Sequence, residues 1–417
     1  MIDLKLLRAA PGQVRAALAR RGDLALTRLL DEIEALDMKR RTLTAQLDTL
    51  KAERNDAAKA DAIAAKSQGG LPATVVAERR KLGERITSLE SELRQIETTL
   101  EAKALFVPNP PLPDVPDEQK TLRSWGTPAP KGGKPHWEIA ERLGMLDLPR
   151  GAKLAGSGFP VLMGLGARLA RGLINFMIDL HTREHGYTEV EPPFLVRRDV
   201  MTGTGQLPKF EDDAYRTTDD LFLIPTAEVP VTNLHRDEII DRPLPFGYVA
   251  YTPCFRREAG AAGKDTRGLL RVHQFDKVEL VRFSRASESP AEHEALTGHA
   301  EEVLRRLELA YRVAVLPAND FGFAAAKTYD LEAWAPGVGQ WLEVSSSSTF
   351  TDFQARRANI RCRPRPGDKP EFVHTLNASG VALPRTIAAL LETHQQPDGS
   401  VRIPAALVPY VGTDRIA

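Results

Sequence analysis

A chain of 417 residues is long enough for two or three domains at roughly 100–200 residues each. Its 56 Lys and Arg balance 56 Asp and Glu, which excludes a global field drawing it to nucleic acid, so any such binding must come from a local patch. Two cysteines, Cys254 and Cys362, exclude a disulfide framework and a CxxC-type zinc set, and a charge-laden N-terminus without a long apolar run reads as neither signal peptide nor membrane span.

The expectation is therefore a soluble, untargeted chain of the reducing cytoplasm, without zinc. From Leu29 the residues Leu29, Ile33, Leu36, Leu43, Leu47 and Leu50 repeat at four- and three-residue spacings, with Arg40 and Arg54 in seam positions, which predicts a coiled-coil helix. A second stripe, Leu82, Ile86, Leu89, Leu93, Ile96 and Leu100, keeps the same rhythm. Between them Gly69, Gly70 and Pro72 break the helix and reverse the chain. Two helices of about 35 residues, at about 1.5 Å per residue, make an antiparallel arm roughly 50 Å long. Its outer half, residues 51–85, holds more cations (Lys51, Arg54, Lys59, Lys66, Arg79, Arg80, Lys81, Arg85) than anions (Glu53, Asp56, Asp61, Glu78, Glu84). A basic tip suits a phosphate backbone, attraction acting within a Debye length of about 8 Å. Self-association or a merely solvated rod fits the same pattern.

The segment VPNPPLPDVP, residues 107–116, is too rich in proline for a helix and reads as an extended linker. That divides the chain into an arm at 1–106, a linker at 107–120 and a second domain at 121–417. In the last, Leu169, Leu173, Phe176 and Leu180 mark an amphipathic helix, and strands in the 220s, 250s, 270s, 310s and 340s alternate with helices such as 291–309. Neither GxGxxG nor a P-loop occurs. The expected class is α+β, an antiparallel sheet flanked by helices.

Residues 255–279, FRREAGAAGKDTRGLLRVHQFDKVE, read as two strands around a flexible loop. Arg271, His273, Phe275, Lys277 and Glu279 fall on alternate residues, so an extended backbone turns all five to one face and Val272 and Val278 to the other. Arg256 and Glu258 share a face on the preceding strand, and the loop adds Lys264 and Arg267 on a glycine-permissive backbone. Cations beside a flat ring and a carboxylate suit a polyphosphate nucleotide, although a solvated hairpin has the same periodicity. Farther on, Pro384 is a good first helical residue, which puts Arg385 in a first turn. A cation there opposes the helix dipole by about 0.3–1 kcal/mol unless an anion lies between them; a surface salt bridge is the competing explanation.

Segment 255–279 resembles motif 2 of the class II aminoacyl-tRNA synthetases in its seryl-tRNA synthetase form. The helix ending in GYTEVEPPFL resembles motif 1, GTGQLPKF at 203–210 and IPTAEVPVTNLH at 224–235 are similar to further family signatures, and HTLNASGVALPRT at 374–386 resembles motif 3. The N-terminal arm is similar to the one with which that family grips tRNA. The resemblance spans nearly the whole chain and implies the class II fold, a cytoplasmic homodimer and a two-step reaction. Serine and ATP give seryl-adenylate, and the serine passes to the 3′ end of serine tRNA, held through the arm; the selenocysteine tRNA is a second acceptor that the resemblance raises.

By motif position the resemblance implies Arg256 and Arg385 as the catalytic cations. It implies Thr226, Ala227, Glu228, Arg256, Glu279, Asn377 and Ser379 for serine, with Glu279 and Ser379 as partners of its hydroxyl. For ATP it implies Arg256, Arg257, Glu258, Arg271, Val272, Phe275 under the adenine, Glu343, Val344, Ser345, Ser346 and Arg385. Magnesium bound with ATP would rest on Glu343 and Ser346. A helix cap is the structural alternative for Ser379. Gly158, Ala318, Asn319, Ser347, Thr349 and Ala378 depart from the common family pattern, leaving room for a specialised paralogue. A ligase that loads serine onto a carrier protein lacks such an arm in known relatives, and a non-catalytic coiled-coil protein has no need of intact Arg256, Glu279, Glu343 and Arg385.

Overall fold

The computed structural model of the chain describes residues 1–68, 71–259, 267–365 and 367–417. The predicted breakers Gly69 and Gly70, the side chain of Lys66 and the loop cation Lys264 lie outside the described residues. The chain divides into two compact units, residues 2–108 and residues 109–417 with Met1.

In the N-terminal unit, helix Ala25–Gln68 (44 residues) packs against helix Ala73–Ala104 (32 residues). Ion pairs Glu32–Lys103, Lys39–Glu92, Lys51–Glu90 and Asp61–Arg79 fall in opposite order along the two helices, so these run antiparallel. Leu47 and Leu50 bury against Ile86, with Leu82, Leu89 and Leu93 beside them. Toward the base the seam differs from the sequence reading. Leu26, Leu30, Ile33 and Asp37 are the buried positions, while Leu29 and Leu36 are only half-buried. An aspartate replaces leucine in the seam because Arg8, from helix Leu4–Ala9, donates to it at 2.8 Å and Arg40 at 3.0 Å. Burial pushes the Asp37 carboxyl up, but these two hydrogen bonds outweigh it and hold the group below its ordinary value.

The second unit is built on one eight-stranded sheet. Its spatial order is Lys120–Trp125, Tyr311–Val315, Lys327–Ala335, Gln340–Thr351, His374–Ala382, Gln274–Ser284, Phe246–Phe255 and Thr188–Glu189. Every neighbouring pair is antiparallel except the last, which is parallel. Helices Gly164–Arg183, Ser289–Arg306 and Leu383–His394 cover it. Leu169, Leu173, Phe176 and Leu180, at helical spacing, are all buried in this layer with Leu280, Leu376 and Leu391. Each such side chain contributes roughly 1.5–3 kcal/mol. The proline-rich stretch is anchored and turns at Pro113–Asp114, where the Val115 N–H meets the Leu112 carbonyl at 3.2 Å: Asn109 is buried, its Nδ2 donating to the carbonyls of Ala324 (2.9 Å) and Phe350 (2.8 Å), and Val115 packs with Phe321, Phe323 and Phe353.

Among the described residues, no helix is long and apolar enough to cross a membrane.

Candidate active site

Two features of strand pairing shape the site. Strands Phe246–Phe255 and Gln274–Ser284 form a continuous antiparallel ladder, with Thr252 opposite Lys277 and Cys254 opposite Phe275. Strand His374–Ala382 lies on the other side, Ser379 opposite Glu279 and Val381 opposite Val278, so Gly380 is an extra residue in a bulge. Phe275, Lys277 and Glu279 thus share a face with Asn377 and Ser379. Ser379 lies inside its strand and is not a helix cap.

The predicted alternation holds only from Gln274 onward. Arg271 and His273 precede the strand, Arg256 and Glu258 follow the end of the other one at Phe255, and Glu258 has a left-handed φ of 52°. Extended pairing is lost where the loop begins, so the five residues do not form one flat face. Arg271 still reaches the cavity and pairs with Glu258. His273 turns aside, its ring stacked on Phe159 at 5.3 Å and its Nδ1 3.0 Å from the Arg256 carbonyl. Arg267 lies over the Trp137 ring at 4.7 Å and not in the cavity wall.

That cavity, of about 570 Å³, is lined by Arg256 and Arg385 together, with Thr226, Glu228, Glu258, Arg271, Val272, Phe275, Glu343, Val344, Ser345, Ser346, Asn377 and Ser379. Arg256 Nε donates to the Pro225 carbonyl at 3.3 Å, and its guanidinium lies 5.1 Å from the centre of the Phe275 ring. Arg385 does fall in the first turn of helix Leu383–His394, behind Pro384. Its Nε donates to Leu270 O at 3.1 Å and its Nη1 to Glu343 O at 2.8 Å, so it ties the end of the loop to strand Gln340–Thr351. Among the described residues Arg271 Nε is buried without a hydrogen-bond partner, an unmet donor that an anion in the cavity would satisfy.

Three predicted residues are not in the wall. Ala227 is fully buried behind it, Arg257 is exposed with its N–H bonded to the Asp213 carbonyl at 3.0 Å, and Glu279 lies beneath the wall. Glu279 accepts from Thr226 Oγ1 at 2.7 Å and Asn377 Nδ2 at 2.9 Å and is paired with Lys277. Lys277 also donates to Thr226 at 3.0 Å. Glu228, above this group, receives Gln354 and Asn377 Nδ2, the latter at 3.1 Å. Burial, and next the charge of Glu279, push the Glu228 carboxyl up to about 7. The floor is thus a connected set of two carboxylates, one ammonium and neutral donors.

Sequence reasoning set Lys277 among the cations facing a polyphosphate, whereas its ammonium is held by Glu279 and Thr226; it gave no role to Gln354 or Asp330. Strand alternation was the available signal for Asp330, which pairs directly with Ser346 across the ladder; nothing local marked Gln354, which joins the site by a contact across 126 positions.

Asp330, Glu343 and Ser346, also in the cavity wall, are oxygen donors of the kind a hard cation such as magnesium takes. Ser346 Oγ lies 2.7 Å from Asp330 Oδ1 and 3.1 Å from Glu343 Oε1. One hydroxyl proton can serve only one of these contacts, so the second sets oxygen lone pairs against each other unless a cation or proton intervenes. Burial and then the Glu343 charge hold Asp330 far above the usual carboxylate range, which marks the same excess of negative charge. Among the described residues no group of three or more His, Cys, Asp or Glu side chains is arranged to hold a metal. A hard cation here needs further oxygens from a phosphate ligand, as magnesium commonly does.

The six departures all lie outside the cavity wall. Gly158 has φ 81°, and a Cβ there would stand 2.5 Å from His273 Cδ2, so this chain has no room for an arginine at that point without moving the ring. Ser347 is buried, accepting from Thr297 at 2.9 Å, opposite the fully buried Ala378.

Residues 1–111 match the family model described as seryl-tRNA synthetase N-terminal domain, and residues 209–394 match that of the tRNA synthetase class II core domain (G, H, P, S and T). The serine–tRNA ligase of Gemmatimonas aurantiaca is 56% identical over 422 residues, covering 99% of each chain. Among solved structures, the seryl-tRNA synthetase of Pyrococcus horikoshii complexed with ATP is similar at a TM-score of 0.94 and 40% identity, over 100% of this chain and 99% of that one. The cytoplasmic serine–tRNA ligase of Naegleria fowleri in complex with AMP matches at 0.87 and 29%, over 100% and 98%.

Proposed function

The chain belongs to the seryl-tRNA synthetase family, and from that premise we propose that its cavity performs serine activation and tRNA charging through the residues described above. It is an ATP-dependent ligase that joins serine to tRNA. One observation carries the assignment of roles: Arg256 and Arg385, 129 positions apart in sequence, line a single cavity together with Glu228 and with the oxygen donors Asp330, Glu343 and Ser346.

Serine enters with its ammonium toward Glu228 and Thr226 and its hydroxyl toward Ser379 and Asn377, which stand in front of Glu279. Glu279 acts through these donors and Lys277, fixing their orientation. Alanine would leave them with an unmet partner, the kind of penalty by which a polar site rejects an analogue lacking one hydroxyl. ATP lies along Phe275 with its phosphates among Arg256, Arg271 and Arg385. Arg256 holds the serine carboxylate and the α-phosphate together, so that a carboxylate oxygen attacks phosphorus in line and pyrophosphate leaves. Arg271 and Arg385 neutralise the departing charge. Magnesium, held by Glu343 and Ser346 beside Asp330, supplies further neutralisation when bound. A ribose hydroxyl of the tRNA end then attacks the seryl carbonyl and AMP leaves; no side-chain nucleophile takes part.

The arm holds serine tRNA by its backbone charge, and the chain works as a homodimer. Serine-dependent exchange of pyrophosphate into ATP, with twenty amino acids compared and charging of serine and selenocysteine tRNAs measured in parallel, tests the reading. Exchange with no charging of either tRNA would favour a carrier-protein ligase, and absence of exchange would end the catalytic proposal. Light scattering of the purified chain tests the dimer.

A further inference from the structure

His136 and Glu392 belong to none of the motifs above, yet both side chains are completely excluded from solvent. Glu392 lies in the last turn of the helix whose first turn carries Arg385. Its Oε1 accepts from the His136 backbone N–H at 2.9 Å and lies 2.8 Å from His136 Nδ1, and its Oε2 accepts from the Val338 N–H at 3.0 Å. The other ring nitrogen, Nε2, is 3.1 Å from the Leu269 backbone nitrogen. A backbone N–H can only donate, so Nε2 is the bare acceptor and Nδ1 carries the proton that it gives to Glu392. The chain approaches this ring as closely as it does because residue 268 is glycine: its φ is 67°, and a Cβ would stand 2.4 Å from Nε2. Immediately beyond, the Leu270 carbonyl receives Arg385 Nε, and Arg271 enters the cavity, paired with Glu258.

We infer that the buried His136–Glu392 pair is a positioning device for ATP. It ties the returning limb of the 255–279 hairpin, at Leu269, to the helix that carries Arg385, so that Arg271 and Arg385 face the phosphates in a fixed relation. His136 touches no substrate and acts through Leu269. The inference rests on the assignment of these two arginines to ATP made under the proposed function.

The two ring nitrogens can be separated by substitution. In His136→Asn the amide can still donate to Glu392 but is too short to meet Leu269. In His136→Gln the longer side chain offers an acceptor near the position of Nε2. Gly268→Ala leaves the pair intact and drives the limb away from it. Serine-dependent pyrophosphate exchange on the full chain, with KM for ATP and for serine determined separately, is the measurement, and Arg385→Ala is the companion. His136→Asn and Gly268→Ala should each raise KM for ATP about three- to ten-fold, the loss expected of one neutral hydrogen bond, with KM for serine unchanged, and His136→Gln should recover most of the difference. A general structural role would move both constants together or neither, and either result overturns the inference; if His136→Asn does not fold, Gly268→Ala decides alone. If Arg385→Ala raises KM for ATP while these variants do not, the positioning role alone fails. If Arg385→Ala also leaves it unchanged, the ATP assignment fails and takes the positioning role with it.

Discussion

Asp37 in the helical arm and Glu228 in the catalytic unit are both buried carboxylates, and their surroundings push them in opposite directions. Asp37 is met by two guanidiniums that remain partly in water, at 33% and 29% exposure, and is held below its ordinary value. Glu228 is met by amides, and burial followed by the charge of Glu279 pushes it up to about 7. The first arrangement fixes helix Leu4–Ala9 to the arm and is complete as it stands. The second would, under the proposed function, be met by the ammonium of the bound amino acid. Ionised, Asp37 contributes stability that is fully present above the unfolded value near 3.8 and is lost as acid protonates it. Glu228 does the reverse: between its unfolded value of 4.5 and about 7 the folded state binds the extra proton, so stability falls as pH rises through that window.

The sharpest way to break the contrast between a structural arm and a reactive unit is Arg256→Ala. Serine-dependent exchange should drop by about a thousand-fold or more, since the residue is asked to hold two anions together, while circular dichroism and the melting transition stay near those of the parent chain. Near-parental exchange would refute its role. Next in size, removal of residues 30–100 should leave exchange intact and abolish tRNA charging; a truncated chain that still charges tRNA efficiently would contradict the division of labour.

Glu228→Gln separates activity from stability in a single residue. KM for serine should rise about ten- to a hundred-fold, the range for losing a charged hydrogen-bond partner, with KM for ATP unmoved. At pH 8 the variant should melt higher than the parent, because the penalty of ionising a buried carboxylate, of order 3 kcal/mol from the shift, has been removed; at pH 5 the two should nearly coincide. A lower melting temperature at pH 8 would mean that Glu228 is already compensated in the free protein. The smallest effect belongs to Asp37→Asn, which should cost the arm about 1–3 kcal/mol in denaturant unfolding and leave exchange untouched.

These residues also mark how far sequence could be read. The stripe from Leu82 to Leu100 was legible because its apolar side chains are its packing. At the base of the first helix the stripe was misplaced by one position, since Asp37 looks like a surface residue until Arg8, 29 positions away, is brought against it. In the catalytic unit the motif residues were legible by resemblance, and the strands in the 250s, 270s, 310s and 340s by pattern; Lys120–Trp125, Lys327–Ala335 and His374–Ala382 were not read as strands, and the strand of the 220s, Leu221–Leu223, pairs with Leu195–Arg197 outside the large sheet. The flat face predicted from Arg271 to Glu279 was not found because regular pairing stops at Gln274. Gln354, Asp330 and the pair His136–Glu392 carry no local mark; their meaning comes from partners in other strands and helices.

The bulge at Gly380 sets a limit on how this segment can change in length. Before it, Asn377 and Ser379 look into the cavity; after it, Val381 lies opposite Val278 and the chain enters the helix that bears Arg385. Because side chains alternate with period two, that one extra residue keeps the two stretches in phase with their separate tasks. Loss or gain of a single codon here would invert one stretch relative to the other, turning either the amide and hydroxyl or the guanidinium to the wrong side. The count of residues here is therefore as much a part of the site as their identity.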